Sequence, residues 1–518
     1  MSAKQSNPSH YDVIVIGGGP NGLVAAATLA RAGRKVLVLE RSLTMGSVMT
    51  TTEITPGYHA SAGAALLEGL SPALEKRLRL KKHGLRFATY GFETIALERD
   101  GRNLTLPSGR APLVGVSSAD ARAYAMFQSQ QAACAYLLGS MQDMRLTDGS
   151  VEALRKLVWR IAGTRGIAMG DIMQQLPARL GDVLDATFES PLLKGALALD
   201  ALLGQGDGPY EPGTMLRLWQ RLSLRQKHAG PRLPIGGMSA FSEALCASIV
   251  AQGGEIRAGI GVRKLLLTAG VISGVETDQD QRFTSNSVLS CIDPVTTLLD
   301  LLGAVHLDAG LTRHIASRKV QGVTAKINLA LEGLPVVKGL APERLGNRLL
   351  AVASLEELDQ ASLAFRRREL HSDPVMEIHL PSLADPSLAP EGQHVMSVLV
   401  QYVPQDPATG WQGGREKLVQ NVVRSLTTYM PDLPNRIIAG TVMTPPDIEK
   451  KYGLKGGDWH HGVVTIDRLL QLGPTDKMAP HHTPIAGLYL GGAGSFVGNA
   501  CGEAGHRAAR LLLEERGR

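Results

Sequence analysis

Cysteine is scarce in this 518-residue chain: Cys134, Cys246, Cys291 and Cys501, far apart in sequence. No Cys-x-x-Cys pair occurs, which argues against a zinc ribbon and against a dithiol redox centre. Such sparse usage fits a reducing compartment. Aromatic residues make up only 4%. No stretch approaches the ~18 consecutive apolar residues of a membrane span. The opening MSAKQSNPSHYD is polar and has no apolar signal core. A cytoplasmic protein is expected. Charge of one sign is not in large excess either: 54 Lys and Arg against 48 Asp and Glu leave +6 over the whole chain. Nucleic-acid binders gather their charge on one face. The densest basic stretch, EKRLRLKKHGLR (Glu75 to Arg86), is short and has no interleaved aromatics, so no nucleic-acid partner is expected. It reads as a solvated helix face, with peripheral contact to an anionic membrane surface as the alternative. No Ser-His-Asp order and no metal-spaced His/Glu set stands out, and no metal is expected.

What the chain has is hydrophobic content, 44%, and glycine, 58 residues. That length and composition allow a large core and two or more domains. The stretch YDVIVIGGGPNGLVAAATLARAGRKVLVLER runs from Tyr11 to Arg41. Its first six residues read as a buried parallel strand. LVAAATLARAG has helical spacing and ends at Gly33, and KVLVLE is a second strand ending at Glu40. Within this β-α-β unit Gly17 allows the tight turn, Gly19 lets backbone approach a pyrophosphate, and Gly22 lets helix pack on strand. Pro20 and Asn21 open the helix, whose N-terminus offers free N–H groups and a positive dipole end to phosphate. Glu40 lies eighteen residues beyond Gly22, near the ~20 expected of a ribose-binding acid. The motif alone leaves FAD and NAD(P) open. Arg41 reads as a surface residue after the acid, with a 2′-phosphate contact as the alternative.

Two further glycine-bearing regions follow. Pro231 to Asp280 reads as a Gly-Gly turn, a helix, a Gly-Gly break and short strands, with Val262 a candidate cofactor contact. GLYLGGAGSFVGNACGEAGHRAARLLLEE (Gly487 to Glu515) reads as strand, small-residue loop and helix, with Gly492, Ala493, Gly494, Gly502 and Glu503 as candidates. Three such pieces can surround one long cofactor such as FAD, whereas an NAD-only enzyme has no need of the third. The blocks between them are mainly helical (~91 to 225, after a strand pair) or mixed (~322 to 450). The expected organisation is a FAD-binding domain from segments 1–90, 226–321 and 451–518, with a discontinuous α+β substrate domain from 91–225 and 322–450. The fold class is α/β with a Rossmann-like FAD-binding domain.

Several motifs resemble the phytoene desaturase-like flavoproteins, which share their fold with the flavin amine oxidases. Besides the Gly17-Gly19-Gly22-Glu40 unit they include TEITPGYHAS, LKKHGLRF, FESPLLKGALALDALLG, PIGGMSAFSEAL, TAKINLALEG, LPSLADPSLAPEGQHVMSVLVQYVP and GGDWHHG. The nearest group is that named pyridine nucleotide-disulfide oxidoreductase domain-containing protein 2, a name the missing dithiol suits poorly. The resemblance implies non-covalent FAD, an oxidoreductase of desaturase or dehydrogenase type, and a small apolar, often isoprenoid-like substrate. Oxygen, a quinone or another acceptor would reoxidise the flavin. The sequence departs from the family at two places. Gly46-Ser47 stands where Gly-Gly is usual, and the loop SFVGNACG is one residue short. A Cβ at Ser47 or Asn499 is expected to tighten or redirect the flavin site. That departure keeps a non-catalytic flavin-binding protein open as an alternative, beside a flavin amine oxidase, which would need an aromatic cage.

Three residues are candidates for chemistry. In the strand TAKINLALEG, Lys326 shares a face with Asn328, opposite Ile327 and Leu329. The resemblance to amine oxidases puts such a lysine near flavin N5 through a water; an exposed strand-edge lysine is the alternative. In KGGDWHHG, His461 fits the family motif best, His460 adjoins it and Asp458 is placed to orient it. A histidine there could move a proton, or simply hold the loop. His59 is a weaker candidate. LLKGALALDALLG (Leu192 to Gly204) lines the substrate pocket or is plain core.

Overall fold

The computed structural model describes residues 10–107, 111–142, 174–227, 230–318, 320–462, 481–495 and 501–516. Two sheets position the cleft. The first is wholly parallel and runs in the order Leu488–Leu490, Val288–Ser290, Val13–Ile16, Val36–Glu40, Glu255–Ala258. Four of its strands are short, β-branched or leucine-rich, and buried on both faces, as central parallel strands are, while the edge strand Glu255–Ala258 is only partly buried. The chain leaves the central strand Val13–Ile16 toward one edge through Val36–Glu40 and returns on the other side at Val288–Ser290. A crevice therefore opens at the carboxyl ends of these two strands, the switch point where doubly wound sheets bind ligands.

The second sheet has seven strands in the order Ile437–Met443, Thr324–Leu331, His394–Gln401, Met376–His379, Arg348–Ala351, Thr94–Leu97, Leu104–Leu106. All pairs are antiparallel except Arg348–Ala351 with Thr94–Leu97. One face is apolar: Ile327, Leu329, Leu349, Ile378 and Val398 pack with Leu418, Val422 and Leu426 of the helix Gly414–Tyr429. Alternation then obliges the other face to carry the polar residues. The helices Ser118–Gln142, Pro191–Leu202 and Met215–Lys227 build a separate core, with Trp219 at its centre, on the side of this second sheet away from that helix.

The strand pair expected at the start of block 91–225 is present, and it joins the edge of the second sheet. The basic stretch does not form one helix. The helix covers only Pro72–Arg77, and Arg79 then takes a left-handed φ of 54°. Leu78, Leu80 and Leu85 fold inward while Lys76, Arg77, Lys81, Lys82 and Arg86 stay exposed. Among the described residues no helix is long and apolar enough to cross a membrane.

Candidate active site

The crevice is the start of one long cleft. Gly17, Gly19, Pro20, Asn21 and Glu40 line one end, Ser47, Ile292, Asp293 and Ala493 line it further on, and Leu399, Arg348, Glu377 and His379 line the other end.

The three glycines of the first unit have three different reasons to be glycine. Gly17 has φ +98°, which only glycine adopts easily. A Cβ on Gly22 would stand 3.0 Å from the Gly17 carbonyl carbon and closer still to its oxygen, so Gly22 is there for packing. Gly19 has an ordinary φ of −73°, and its Cβ would meet only Ser47 Cβ, at 3.6 Å. Nothing among the described residues requires glycine there. The open space beside it, at the uncapped N-terminus of the helix Pro20–Arg31, has the form and polarity that would suit a pyrophosphate. Glu40 ends its strand at the cleft, its carboxylate accepting from the N–H groups of Gly18 (2.6 Å) and Ser42 (2.7 Å). The two turns and the acid are thereby locked together. His461 Nδ1 is buried without a hydrogen-bond partner among the described residues. These residues fit a dinucleotide whose far end still has polar atoms to meet.

The distant segments arrive where the first unit needs them. Cys291 N–H donates to Ile16 O and Gly491 N–H to Ser290 O, each at 2.8 Å, which carries three strand ends into one wall. Gly492, outside the cleft lining, lets this happen: its Cβ would lie 2.7 Å from Cys291 O. Gly494 fits against His461, and Gly502, at φ +106°, fits against Val24. The helix Glu503–Arg516 lies on Pro20–Arg31, with Gly505 N–H donating to Asn21 Oδ1 at 3.2 Å. Glu503 pairs with Arg507 at 3.1 Å. Gly46, Gly22, Arg41, Val262 and His59 also lie outside the cleft wall. Arg41 is exposed, and Val262 begins a strand of the small antiparallel sheet. The segment Leu192 to Gly204 divides: the helix is core, and only Leu203 and Gly204 reach the cleft.

Ser47 gives the first departure from the family a physical meaning. Its φ is +54°, so a side chain occupies a left-handed position that glycine would fill without strain. Ser47→Gly removes a penalty of roughly 1–2 kcal/mol and adds roughly 0.4–1 kcal/mol of unfolded-state entropy. The unfolding free energy of the variant, measured in urea, is therefore expected to rise by up to about 1.6 kcal/mol. A fall would show that the serine side chain contributes more than its backbone costs. Asn499, at the second departure, lies outside the described residues.

His460 and His461 both line the cleft. Asp458 does not hold either ring. Its carboxylate accepts from the backbone N–H groups of His460 (2.8 Å) and Gly462 (2.7 Å) and so shapes the loop. This shaping holds His461 at a left-handed φ of 56°, strain of the kind that clusters at functional sites. Burial keeps both imidazoles below their usual values.

Lys326 is not on an exposed edge. It is 2% exposed, in the interior of the second sheet, with its backbone paired to Leu399 and Met443. It shares the polar face with Asn328, which donates to Ser61 O at 3.1 Å and ties the Tyr58–Ser61 strand to the sheet. Lys326 has no hydrogen-bond or ion-pair partner among the described residues. Burial lowers it to about 8, opposed only by Glu377. Lys326 itself is outside the cleft lining, but its strand neighbour Leu399 is within it.

The far end also holds a charge network that the sequence reading missed. Arg348 is paired with Asp200 (2.6 Å) and Glu377 (2.5 Å), Arg225 with Asp200 (2.6 Å) and Glu68 (3.0 Å), and Arg221 with Glu68 (2.8 Å). Burial pushes the Asp200 and Glu377 carboxyls up. The arginines outweigh it and hold both below the usual carboxylate range. The signal was visible in VMEIHL, where Glu377 and His379 alternate with Met376 and Ile378 as residues on one sheet face do.

Comparison with known proteins agrees with this geometry. A model of the family "Flavin containing amine oxidoreductase" matches residues 21–513. The chain is 31% identical to pyridine nucleotide-disulfide oxidoreductase domain-containing protein 2 of Mus musculus, covering 98% of this chain and 94% of that one. It is 27% identical to the phytoene desaturase (neurosporene-forming) of Cereibacter sphaeroides over 59% of this chain and 57% of that one. The solved structure of cyclohexylamine oxidase from Brevibacterium oxydans shares the fold, with TM-score 0.61 and 14% identity over 98% of this chain and 100% of that one. The expected cofactor and fold class hold, and the chain belongs to the flavin containing amine oxidoreductase family: it is an FAD-dependent oxidoreductase.

Proposed function

We propose that Gly17, Gly19, Pro20, Asn21 and Glu40 hold the nucleotide of FAD, and that the remainder of the cleft, as far as His379, receives the flavin ring and a small organic substrate with an apolar body. The observation that carries this reading is the continuity of the cleft from the Gly17 turn to the polar face of the second sheet. Leu66, Leu203, Leu224 and Leu399 supply the apolar wall. When bound, FAD accepts hydride from a substrate carbon; the protein contributes distance, orientation and polarity. Lys326 brings a cation to the face behind Leu399, and His460 and His461 line the cleft as candidates for proton movement. Oxygen, a quinone or another acceptor returns the flavin to its oxidised state. The three-segment flavin domain and two-segment substrate domain belong to the same reading, supported by the orders of the two sheets.

The test is anaerobic addition of terpenoid hydrocarbons, alcohols and amines to the yellow protein. Loss of the flavin's visible absorbance with one of these classes is expected. A flavin that none of them bleaches would favour a non-catalytic flavin-binding protein. A second reading, amine oxidation, draws on Tyr452 and Trp459, two aromatic side chains in the same cleft wall. Lys326, a buried cation with no ion-pair partner among the described residues, behind Leu399, disfavours a protonated amine.

A further inference from the structure

Resting on that reading of the cleft's far end as the reacting end, we propose that His379, held by Glu377, is the base that takes the hydroxyl proton of an alcohol carried on an apolar framework. His379 and Glu377 are alternate residues of the strand Met376–His379 and project from the same face. Both line the cleft, beside Leu399. His379 Nε2 stands 3.2 Å from Glu377 Oε1, and Arg348 Nε donates to Glu377 Oε2 at 2.5 Å. Both oxygens of the carboxylate are thus committed, one to a fixed guanidinium and one to the imidazole. The Phe92 ring meets the imidazole edge-on, with centroids 6.4 Å apart. With the Nε2 proton toward Glu377, Nδ1 carries the lone pair. Glu377 is the positioning residue; His379 is the one that touches the substrate.

The protonation states suit the task. The charged groups facing His379 are Glu377 on its own strand, Arg348 on one neighbouring strand and Lys326 on Thr324–Leu331. Burial keeps His379 below its usual value in spite of Glu377, so near neutral pH it is an acceptor. Lys326, at about 8, is mostly an ammonium there. Two titratable groups on one sheet face, one proton-poor and one proton-rich, are the pattern of an acid–base site.

The same features select the substrate class. A hydrocarbon C–H is too weak an acid for imidazole. A protonated amine would find Glu377, its natural counter-ion, already held by Arg348, and has no proton-accepting use for the His379 lone pair. A hydroxyl donates to His379, and the field of the buried Lys326 ammonium favours the charge left on its oxygen as the proton leaves. In the overall change the O–H bond breaks and its proton bonds to the imidazole nitrogen. The carbinol C–H bond breaks with its electron pair, which goes as hydride to the flavin as the two-electron oxidant. A C=O double bond forms, giving an aldehyde or ketone.

The test uses para-nitrophenol, an unreactive hydroxyl probe whose absorbance reports its own ionisation, added to the FAD-loaded protein at about pH 6. The bound probe is expected to show the phenolate band although the free phenol is mostly un-ionised. His379→Gln should lower the bound phenolate fraction about tenfold while FAD stays bound. Glu377→Gln should give a smaller loss. A probe that does not bind, that binds as neutral phenol, or that ionises equally in His379→Gln overturns the proposal. If His379→Gln fails to hold FAD, Lys326→Met takes its place, with a reduced phenolate fraction expected and an unchanged one contradicting. A phenolate band in a protein whose flavin no substrate bleaches would keep the base and remove the oxidoreductase reading of the cleft. Bleaching by hydrocarbons or amines alone, with no phenolate, would do the reverse.

Discussion

Gly505→Ala is expected to yield a protein that no longer retains flavin. A Cβ at this position would stand 2.7 Å from the Asn21 carbonyl carbon and nearer still to its oxygen. Both are backbone atoms, so no rotamer change relieves the contact. The helix Glu503–Arg516 must move off Pro20–Arg31, breaking the Gly505 N–H to Asn21 Oδ1 bond. Overpacking of this kind costs roughly 1–3 kcal/mol. The more informative effect is on FAD, because Asn21 stands in the cleft wall one residue from the uncapped helix start. A drop of about tenfold in bound flavin per chain, equal to ~1.4 kcal/mol, is the expected minimum, read from the visible absorbance of the purified variant. Gly33→Ala is the control. Its φ is +79° but nothing lies within 4 Å of the added Cβ, so it loses stability to backbone strain alone and keeps its flavin. Equal flavin content in the two variants would mean that the C-terminal helix does not support the cofactor cradle.

Arg348→Ala should be among the most destabilising single changes in the chain. Its side chain is 3% exposed and joins Asp200 to Glu377. Removing it leaves the buried Glu377 with only the His379 imidazole as partner, while Asp200 keeps Arg225, and costs up to about 3–5 kcal/mol. The pH dependence identifies the cause. Both carboxyls have folded-state values depressed below the unfolded ones. The stability they contribute is present above an unfolded value of about 4 and lost as pH falls through the lower folded values. The difference between wild type and variant should therefore be largest at neutral pH and shrink on acidification below about pH 4. Urea unfolding of the apoprotein at several pH values measures it. A difference independent of pH would assign the loss to a packing cavity instead of to the stranded charge.

The nucleotide end was readable from sequence because its reasons are local. Gly17, Gly19, Gly22 and Glu40 lie within one β-α-β unit, where a backbone angle, a close contact and a strand end each demand a residue type within a few positions. Strand alternation likewise put Lys326 and Asn328 on one face, and the structure keeps them there. The far end was not readable, because its members meet only through strand register and long chain separations. Arg348 reaches Asp200 across 148 positions and Glu377 across 29. Each of these residues, taken alone, sits in an ordinary strand or helix sequence. Asp458 was misread for a related reason. Its bonds go to backbone N–H groups two and four residues on, and a motif shows residue types without showing which atoms they bind.

The claim on which everything depends is that strand ends from three distant parts of the chain enclose a single FAD. Diffraction from crystals of the yellow protein tests it most directly. The account predicts density for the pyrophosphate against Gly17 and Gly19, a ribose on Glu40, and the flavin ring further along the cleft toward Leu399. Nucleotide density anywhere else, or a colourless protein whose Gly17 crevice fills with NADP instead, would contradict it.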